Sequence, residues 1–466
     1  MNNYPQFYHK FNDILMIILG ISLPPLLVKF IPAYYYGDIE IFRRWGDCWG
    51  ENIYSLCKAD YPVIGISLTA GIIHHIKDIF KTSDPEIITQ LFRYFLAVFD
   101  AFNFLLFVYL SSLMRFGFPI FIALLLLLVP STWIGTAVWG QIDGCSLFFC
   151  LLFIICLIKS WLTHNLSVNI YISTVWLSLG SLSLSLYILT KQLGIFSIFF
   201  IIFLFIVTSV KLWNIFSQKS VYLLLLFFTI FSFSFYLIDS SFEIKNSFYS
   251  SSYWFILTEA NIHKSVISWN GFNLWMFLPE DMMSSDKITL FYLMGNHKIT
   301  VYQAGITLYS LFISFIFITG FRKVQKLLKQ TQNTELYLIA LLCFFLGLSY
   351  LGFNVLLTGT HERYLHLGYP FILIAVIWFY SQEIGFSGVA VIGCFFCATS
   401  YGLFVYSIMN PLPRLLFPFQ RHQFLASIHL FLLLFLLAKW IEICQGTRLN
   451  RKIDSVIKRF LKTYNP

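Results

Sequence analysis

The sequence predicts an all-α polytopic membrane bundle, and three observations carry that prediction. Of 466 residues, 58% are hydrophobic and 11% are charged, whereas a soluble domain carries roughly 25% charged residues. Aromatic residues make up 20% of the chain, 53 of them Phe, too many for one aqueous core of this size to hide. Apolar runs recur from end to end, and most reach the roughly 17–25 residues that cross a bilayer. The mean hydropathy of +0.76 is thus a property of the whole chain, and a soluble globular enzyme is excluded.

Taken in order, about twelve spans are expected, near 13–32, 88–113, 118–138, 144–162, 168–189, 193–209, 221–238, 300–319, 335–357, 369–382, 385–408 and 424–441. The first contains Pro24-Pro25 and lacks a small-residue cleavage site, so it reads as a span and not as a cleaved signal peptide. Ser83-Asp84-Pro85-Glu86 announces the second with a cap, an early Pro and an acid in the first turn.

The net charge of +9 does not indicate nucleic acid, because the bases form no stripe on a soluble face. Lys10, Arg115, Lys159, Lys211, Lys219, Arg322, Lys323, Lys326 and Lys329 fall in one set of loops, joined by a basic tail at 442–466. That side is cytoplasmic by the positive-inside rule. The other side receives two long loops, 33–87 and 239–299, and short ones at 139–143, 190–192, 358–368 and 409–423. The nine Cys are too dispersed for a disulfide scaffold. Cys394 and Cys397 sit inside an apolar run and read as packing; Cys48 and Cys57 fall in the first outer loop and could pair, although unpaired thiols are the default reading there.

Every polar cluster suited to chemistry falls on the outer side. Gly37-Asp38-Ile39-Glu40 follows the first span, and Phe42, Trp45, Trp49, Ile53 and Leu56 recur behind it at helical spacing. This predicts an amphipathic helix lying in the membrane interface. Asp38 serves either as its N-cap or as a catalytic carboxylate; the two roles are compatible. Ala59-Asp60-Tyr61-Pro62 closes the same loop and reads as a turn. Trp139-Gly140-Gln141-Ile142-Asp143-Gly144 links spans three and four, and a plain turn needs neither the Trp nor the Gln. Lys191-Gln192 puts a cation on the outer face, as a snorkelling side chain or a ligand. His361-Glu362-Arg363-Tyr364, with His366, is either a solvated loop or an anion site, since Arg binds phosphate in bidentate fashion. Asp100 lies mid-span, where it can bond a neighbouring helix.

No P-loop, GxGxxG or HExxH motif is present, so a substrate at this face is lipid-borne or already exported. An Asp can act as general base toward a hydroxyl, and Arg, His and Lys can stabilise a departing phosphate. The same pattern also describes a transporter vestibule.

These residues resemble the GT-C superfamily of multispanning glycosyltransferases. "GDIEIFRRW" followed by "ADYP" is similar to the first-loop signature of the glucosyltransferases that use dolichyl-phosphate-glucose. "VWGQIDG", "HERYLHLGYP" and "NGFNLW" (Asn270 to Trp275) look like stretches of the bacterial mannosyltransferase-like branch. The matches run in family order through about four-fifths of the chain. Val63 replaces a second Pro, and "HER" stands where the glucosyltransferases have His-Glu-Lys, which favours the bacterial branch.

The resemblance implies a GT-C bundle and an inverting transfer of a hexose, mannose or glucose, from a polyprenyl-phosphate donor to a lipid-linked or glycan acceptor at the non-cytoplasmic face. Asp38 would be the general base, and Glu40 and Asp60 would shape the acceptor side. Gln141 and Asp143 would line the cavity, while Lys191, His361 and Arg363 would contact the donor phosphate. No metal or other cofactor and no nucleic acid is expected; membrane lipid is. The setting would be the bacterial plasma membrane, or the endoplasmic reticulum for a eukaryotic chain. The rival classes are a transporter or flippase for lipid-linked glycans, which predicts ionisable residues strung along the spans, and a glycan polymerase or ligase with a lipid-diphosphate donor.

Overall fold

The computed structural model describes residues 4–31, 37–51, 53–162, 170–191, 198–216, 219–241, 253, 256, 265–268, 271–292, 297–328, 335–409 and 422–445. Much of the second outer loop, the 192–197 segment with Gln192, Asn270 and the tail beyond 445 lie outside the described residues. What is described is helical almost throughout, as the composition demands: in lipid the backbone must satisfy its own hydrogen bonds.

The helices are α1 (Tyr4–Phe30), α2 (Gly37–Asp47), α3 (Val63–Phe80), α4 (Pro85–Leu113), α5 (Pro119–Leu128), α6 (Asp143–Leu162) and α7 (Ile170–Thr190). They continue as α8 (Ile198–Phe216), α9 (Lys219–Asp239), α10 (Val301–Leu328), α11 (Glu335–Leu356), α12 (Gly368–Ser381), α13 (Gly388–Met409) and α14 (His422–Gln445). A two-stranded antiparallel hairpin, β1 (Thr289–Tyr292) and β2 (Lys298–Thr300), precedes α10. α4 packs antiparallel on α1, α7 on α6 and α12 on α11, while α6 runs parallel to α4, Asn103 meeting Gly144 and Tyr109 meeting Lys159. α11 is the central post, with 89% of its apolar window buried, and Phe345 on it stacks on Phe203 of α8 at 4.6 Å. α1 and α9, at 17% and 11%, face outward.

Among the described residues, eleven helices are long and apolar enough to cross a membrane. Ten coincide with expected spans. Of the other two expected spans, 193–209 is occupied by the 19-residue α8, apolar over Phe199–Val210 among the residues whose side chains are described. The 118–138 span holds the ten-residue α5, because Pro130 keeps Val129 extended and ends the helix. The Thr132 hydroxyl then faces the freed carbonyls of Leu126, Leu127 and Val129 at 3.0, 3.1 and 2.8 Å. A π-helical turn at Ile134–Val138 follows.

The eleventh long helix is α3, which the sequence reading left inside the first outer loop. Its first turn lies against the end of α7, so closely that a Cβ on Gly65 would come within 2.2 Å of the Thr190 carbonyl oxygen. Its last residue leads directly to α4. Both ends of α3 therefore lie at the same end of the bundle, and the helix runs along that end over α2 instead of crossing.

The expected interfacial helix is also corrected. α2 stops at Asp47, and Gly50 turns the chain at φ +90°. Phe42 and Trp45 do not face lipid. They pack on each other, on Tyr61 and, for Phe42, on Phe92 of α4, inside a protein core. Cys48 and Cys57 are disulfide-bonded across a Cα–Cα distance of 6.4 Å, and only Leu56 of the apolar set is exposed. Cys394 and Cys397 are buried thiols of α13, in line with packing.

The described parts of the second outer loop clamp onto the α11–α12 connection. Gly271 N donates to Thr360 O (2.9 Å), Trp275 Nε1 to Leu356 O (2.8 Å) and Thr358 Oγ1 to Asp286 Oδ2 (2.8 Å). Asn354 of α11 accepts from Phe272 N (3.2 Å) and donates to His361 O (2.6 Å). Nearer the start of that loop, burial pushes the Tyr253 phenol up, and the Asp239 carboxylate adds to the shift.

Candidate active site

Four separate stretches of the chain meet at the end of the bundle covered by α2 and α3. Asp38 opens α2 in its first turn, where a carboxylate complements the helix dipole. Gln141 Nε2 donates to Asp38 Oδ2 at 2.5 Å, and Tyr61 donates through its phenol to Gln141 Oε1 at 3.1 Å. The amide thus has its oxygen fixed by one partner and its nitrogen by the other, which sets the plane of the Asp38 carboxylate.

The hairpin carrying Gln141 needs Gly140, for two reasons. Its φ is +82°, and a Cβ there would lie 2.4 Å from Ile39 Cδ1. α2 and the hairpin therefore touch backbone to side chain directly beside Asp38.

Two residues further on, Asp143 begins α6 and receives Lys191 Nζ on Oδ1 at 2.5 Å. Lys191 also lies over the Tyr61 ring, 5.7 Å from its centroid. Gln141, Asp143, Lys191 and His366 are each at most 2% exposed. At that burial a lone charge costs several kcal/mol, so the pairing of Asp143 with Lys191 is obligatory. His366 stands at the end of the Glu362–Leu367 3₁₀ turn. Its Nδ1 donates to Ser131 O at 2.9 Å, in the irregular segment after α5, and the ring is within coulombic reach of Asp143 and Lys191. Among the described residues, no group hydrogen-bonds the buried Nε2.

The other expected site residues take different places. Glu40 turns away from Gln141, pairs with Arg43 at 2.6 Å and lines an open polar cleft of about 470 Å³ with Asp84, Glu86 and Thr89. Asp60 is exposed beside the buried Tyr61. His361 is buried, its ring 5.3 Å from that of Tyr364. Arg363 belongs to the same 3₁₀ turn, and its side chain lies outside the described residues.

Tyr61, Ser131 and the inward pose of His366 were not singled out by motif reasoning. Tyr61 was in view as part of Asp-Tyr-Pro, but a Tyr in a turn does not advertise a bond to a residue 80 positions away. The residue classes at the site are a carboxylate held by an amide, a buried Lys–Asp pair and a buried imidazole. No protein-family model matches this chain, and no curated protein matches it.

Proposed function

We propose that the protein is an inverting glycosyltransferase of the GT-C type. In this reading it moves a hexose from a polyprenyl-phosphate carrier to a lipid-linked or glycan acceptor at the non-cytoplasmic face of its membrane. The observation that carries the proposal is the Asp38–Gln141 bond of 2.5 Å, set two residues from the buried Asp143–Lys191 pair and its neighbour His366. A base and a phosphate-compatible cation set thereby share one end of the bundle.

The chemistry is a single displacement. The acceptor oxygen bonds to the anomeric carbon as the bond from that carbon to the phosphate oxygen breaks, the electron pair leaving with the phosphate. Asp38 takes the hydroxyl proton. Gln141 keeps the carboxylate in one orientation and, as an amide, does not compete for that proton. His366, with Nδ1–H fixed on Ser131 O, donates through Nε2 to the departing phosphate only as the imidazolium, and the resemblance adds His361 and Arg363 as phosphate ligands. Lys191 reaches a phosphate only by exchanging Asp143 for it.

Two features favour this reading over a transporter. Among the described residues the buried charged side chains are Arg93, Asp100, Asp143, Lys191, Asp239 and Asp286; five lie toward the Asp38 end, and only Asp100 is mid-span, so they do not trace a path across the bundle. The Cys48–Cys57 disulfide suits an oxidising, non-cytoplasmic compartment beside Asp38. That compartment is the exterior of a bacterial plasma membrane; a lumen of the endoplasmic reticulum is the eukaryotic equivalent. The test is to offer the purified protein a panel of polyprenyl-phosphate hexoses with glycan-lipid acceptors and to assay released polyprenyl phosphate. Acceptor-dependent release, lost in Asp38→Asn, supports the proposal. Movement of intact lipid-linked glycan across a proteoliposome without release overturns it.

A further inference from the structure

Arg93 is a guanidinium buried to 2% exposure on a helix that crosses the membrane, and the reaction proposed above makes no use of it. Its Nη2 donates to Ile31 O at 2.6 Å and its Nη1 to Gln90 Oε1 at 3.2 Å, while Gln90 Nε2 donates to Val28 O at 3.2 Å. Those carbonyls belong to the end of α1, where helix geometry leaves acceptors without partners. Asp38 follows Ile31 by seven positions. The stem of Arg93 also faces the hairpin, its Cγ being 4.0 Å from where a Cβ on Gly140 would stand, next to Gln141.

Further along the same face of α4, Thr136 donates to Asp100 Oδ2, and Asn103 Nδ2 donates to Gly144 O at 2.9 Å, beside Asp143. Gln90, Arg93, Asp100 and Asn103 therefore form one polar file, and Arg93 to Asn103 covers about 15 Å of helix axis. Gln90 and Arg93 hold the end of α1, Asp100 holds the turn before the Gln141 hairpin, and Asn103 holds the turn that carries Asp143. α4 is a rigid rod, so the file fixes how far the Asp38 turn stands from the Gln141 hairpin and from Asp143.

We infer that α4 is the gauge of this site and that Arg93 is its principal positioning residue, holding the Asp38 turn through the end of α1 and the Gln141 hairpin through its stem. The functional half of this inference rests on the proposed role of Asp38; the anchoring half does not.

Both halves are tested on the full chain in detergent. Arg93→Met keeps the stem and removes both donors. Hydrogen exchange over residues 31–41 is expected to rise about tenfold, the loss of one charge-assisted bond, with α11 unchanged. Turnover is expected to fall about a hundredfold, as a misplacement near 1 Å can do, with KM for the donor altered less than about threefold, since Nη1 and Nη2 of Arg93 donate to protein acceptors. Arg93→Lys restores a single donor to Ile31 O and should recover much of both losses. Should Arg93→Met fail to fold, Gln90→Leu removes the Val28 bond and the Nη1 partner and is read in the same way.

A folded Arg93→Met protein with wild-type exchange over 31–41 overturns the anchoring. Raised exchange with undiminished turnover overturns the positioning role. If the wild type transfers no sugar from any polyprenyl-phosphate donor, the proposed reaction fails, and the exchange measurement still decides the anchoring.

Discussion

At the scale of single residues, Asp38 has two compatible roles, and one substitution separates them. Asn complements the start of a helix about as well as Asp and still accepts from Gln141 Nε2, but it takes no proton. Asp38→Asn should therefore express and melt like the wild type while turnover falls about 10³-fold; retained release of polyprenyl phosphate would leave Asp38 a cap. Lys191 poses a different question, because its partner is as buried as it is, at 3% and 2% side-chain exposure. Lys191→Met leaves the Asp143 charge stranded and should cost about 3 kcal/mol, whereas the double variant Asp143→Asn, Lys191→Met should cost distinctly less. Thermal unfolding in detergent compares the two, and equal losses would show that the pair is not the unit of stability. Asp38 as a candidate was legible from Gly-Asp-x-Glu after a span. That Gln141 is its partner was not, since 103 positions separate them.

At the scale of elements, the hairpin between α5 and α6 carries the most information per residue. Trp139 is buried, Gly140 is left-handed and Gln141 and Asp143 point into the site. Gly140→Ala adds a methyl group against Ile39 at a φ that L-residues resist, at a cost of about 1–3 kcal/mol. Because the strain falls on the Gln141 side of the Asp38 bond, we expect turnover to fall further than stability, read as kcat against Tm; a parallel loss of both would make Gly140 a folding residue only. The apolar spacing of Phe42 and Trp45 was read correctly as a helix but assigned to lipid. A helix wheel reports an apolar face without naming what covers it, and here α3 and α4 supply the cover.

Across the whole molecule, five of the six buried charged side chains among the described residues lie at the Asp38 end, and the sidedness of that end is directly measurable. The free thiols among the described residues are buried, so a cysteine introduced at an exposed site reports alone. Ser83→Cys, next to the start of α4, should react with a membrane-impermeant maleimide in intact cells. Gln325→Cys, near the other end of α10, should react only after permeabilisation. The reverse pattern would place Asp38 in the cytoplasm and remove the lipid-phosphate donor from consideration.

The sequence by itself determined the fold class, because hydropathy and the hydrogen-bonding demands of a bilayer act on stretches of about 20 residues, and it located ten of the long spans within a few positions. It also placed Asp38, Gln141, Asp143 and Lys191 on one face, since charge in a membrane protein is costly inside a span and gathers mostly at segment ends. Only the tertiary structure decided that α3 runs along the end of the bundle, that Tyr61 and His366 join the site and that Arg93 reaches the end of α1. Those outcomes depend on contacts between turns separated by dozens of residues, and neither periodicity nor local spacing encodes which turns will meet.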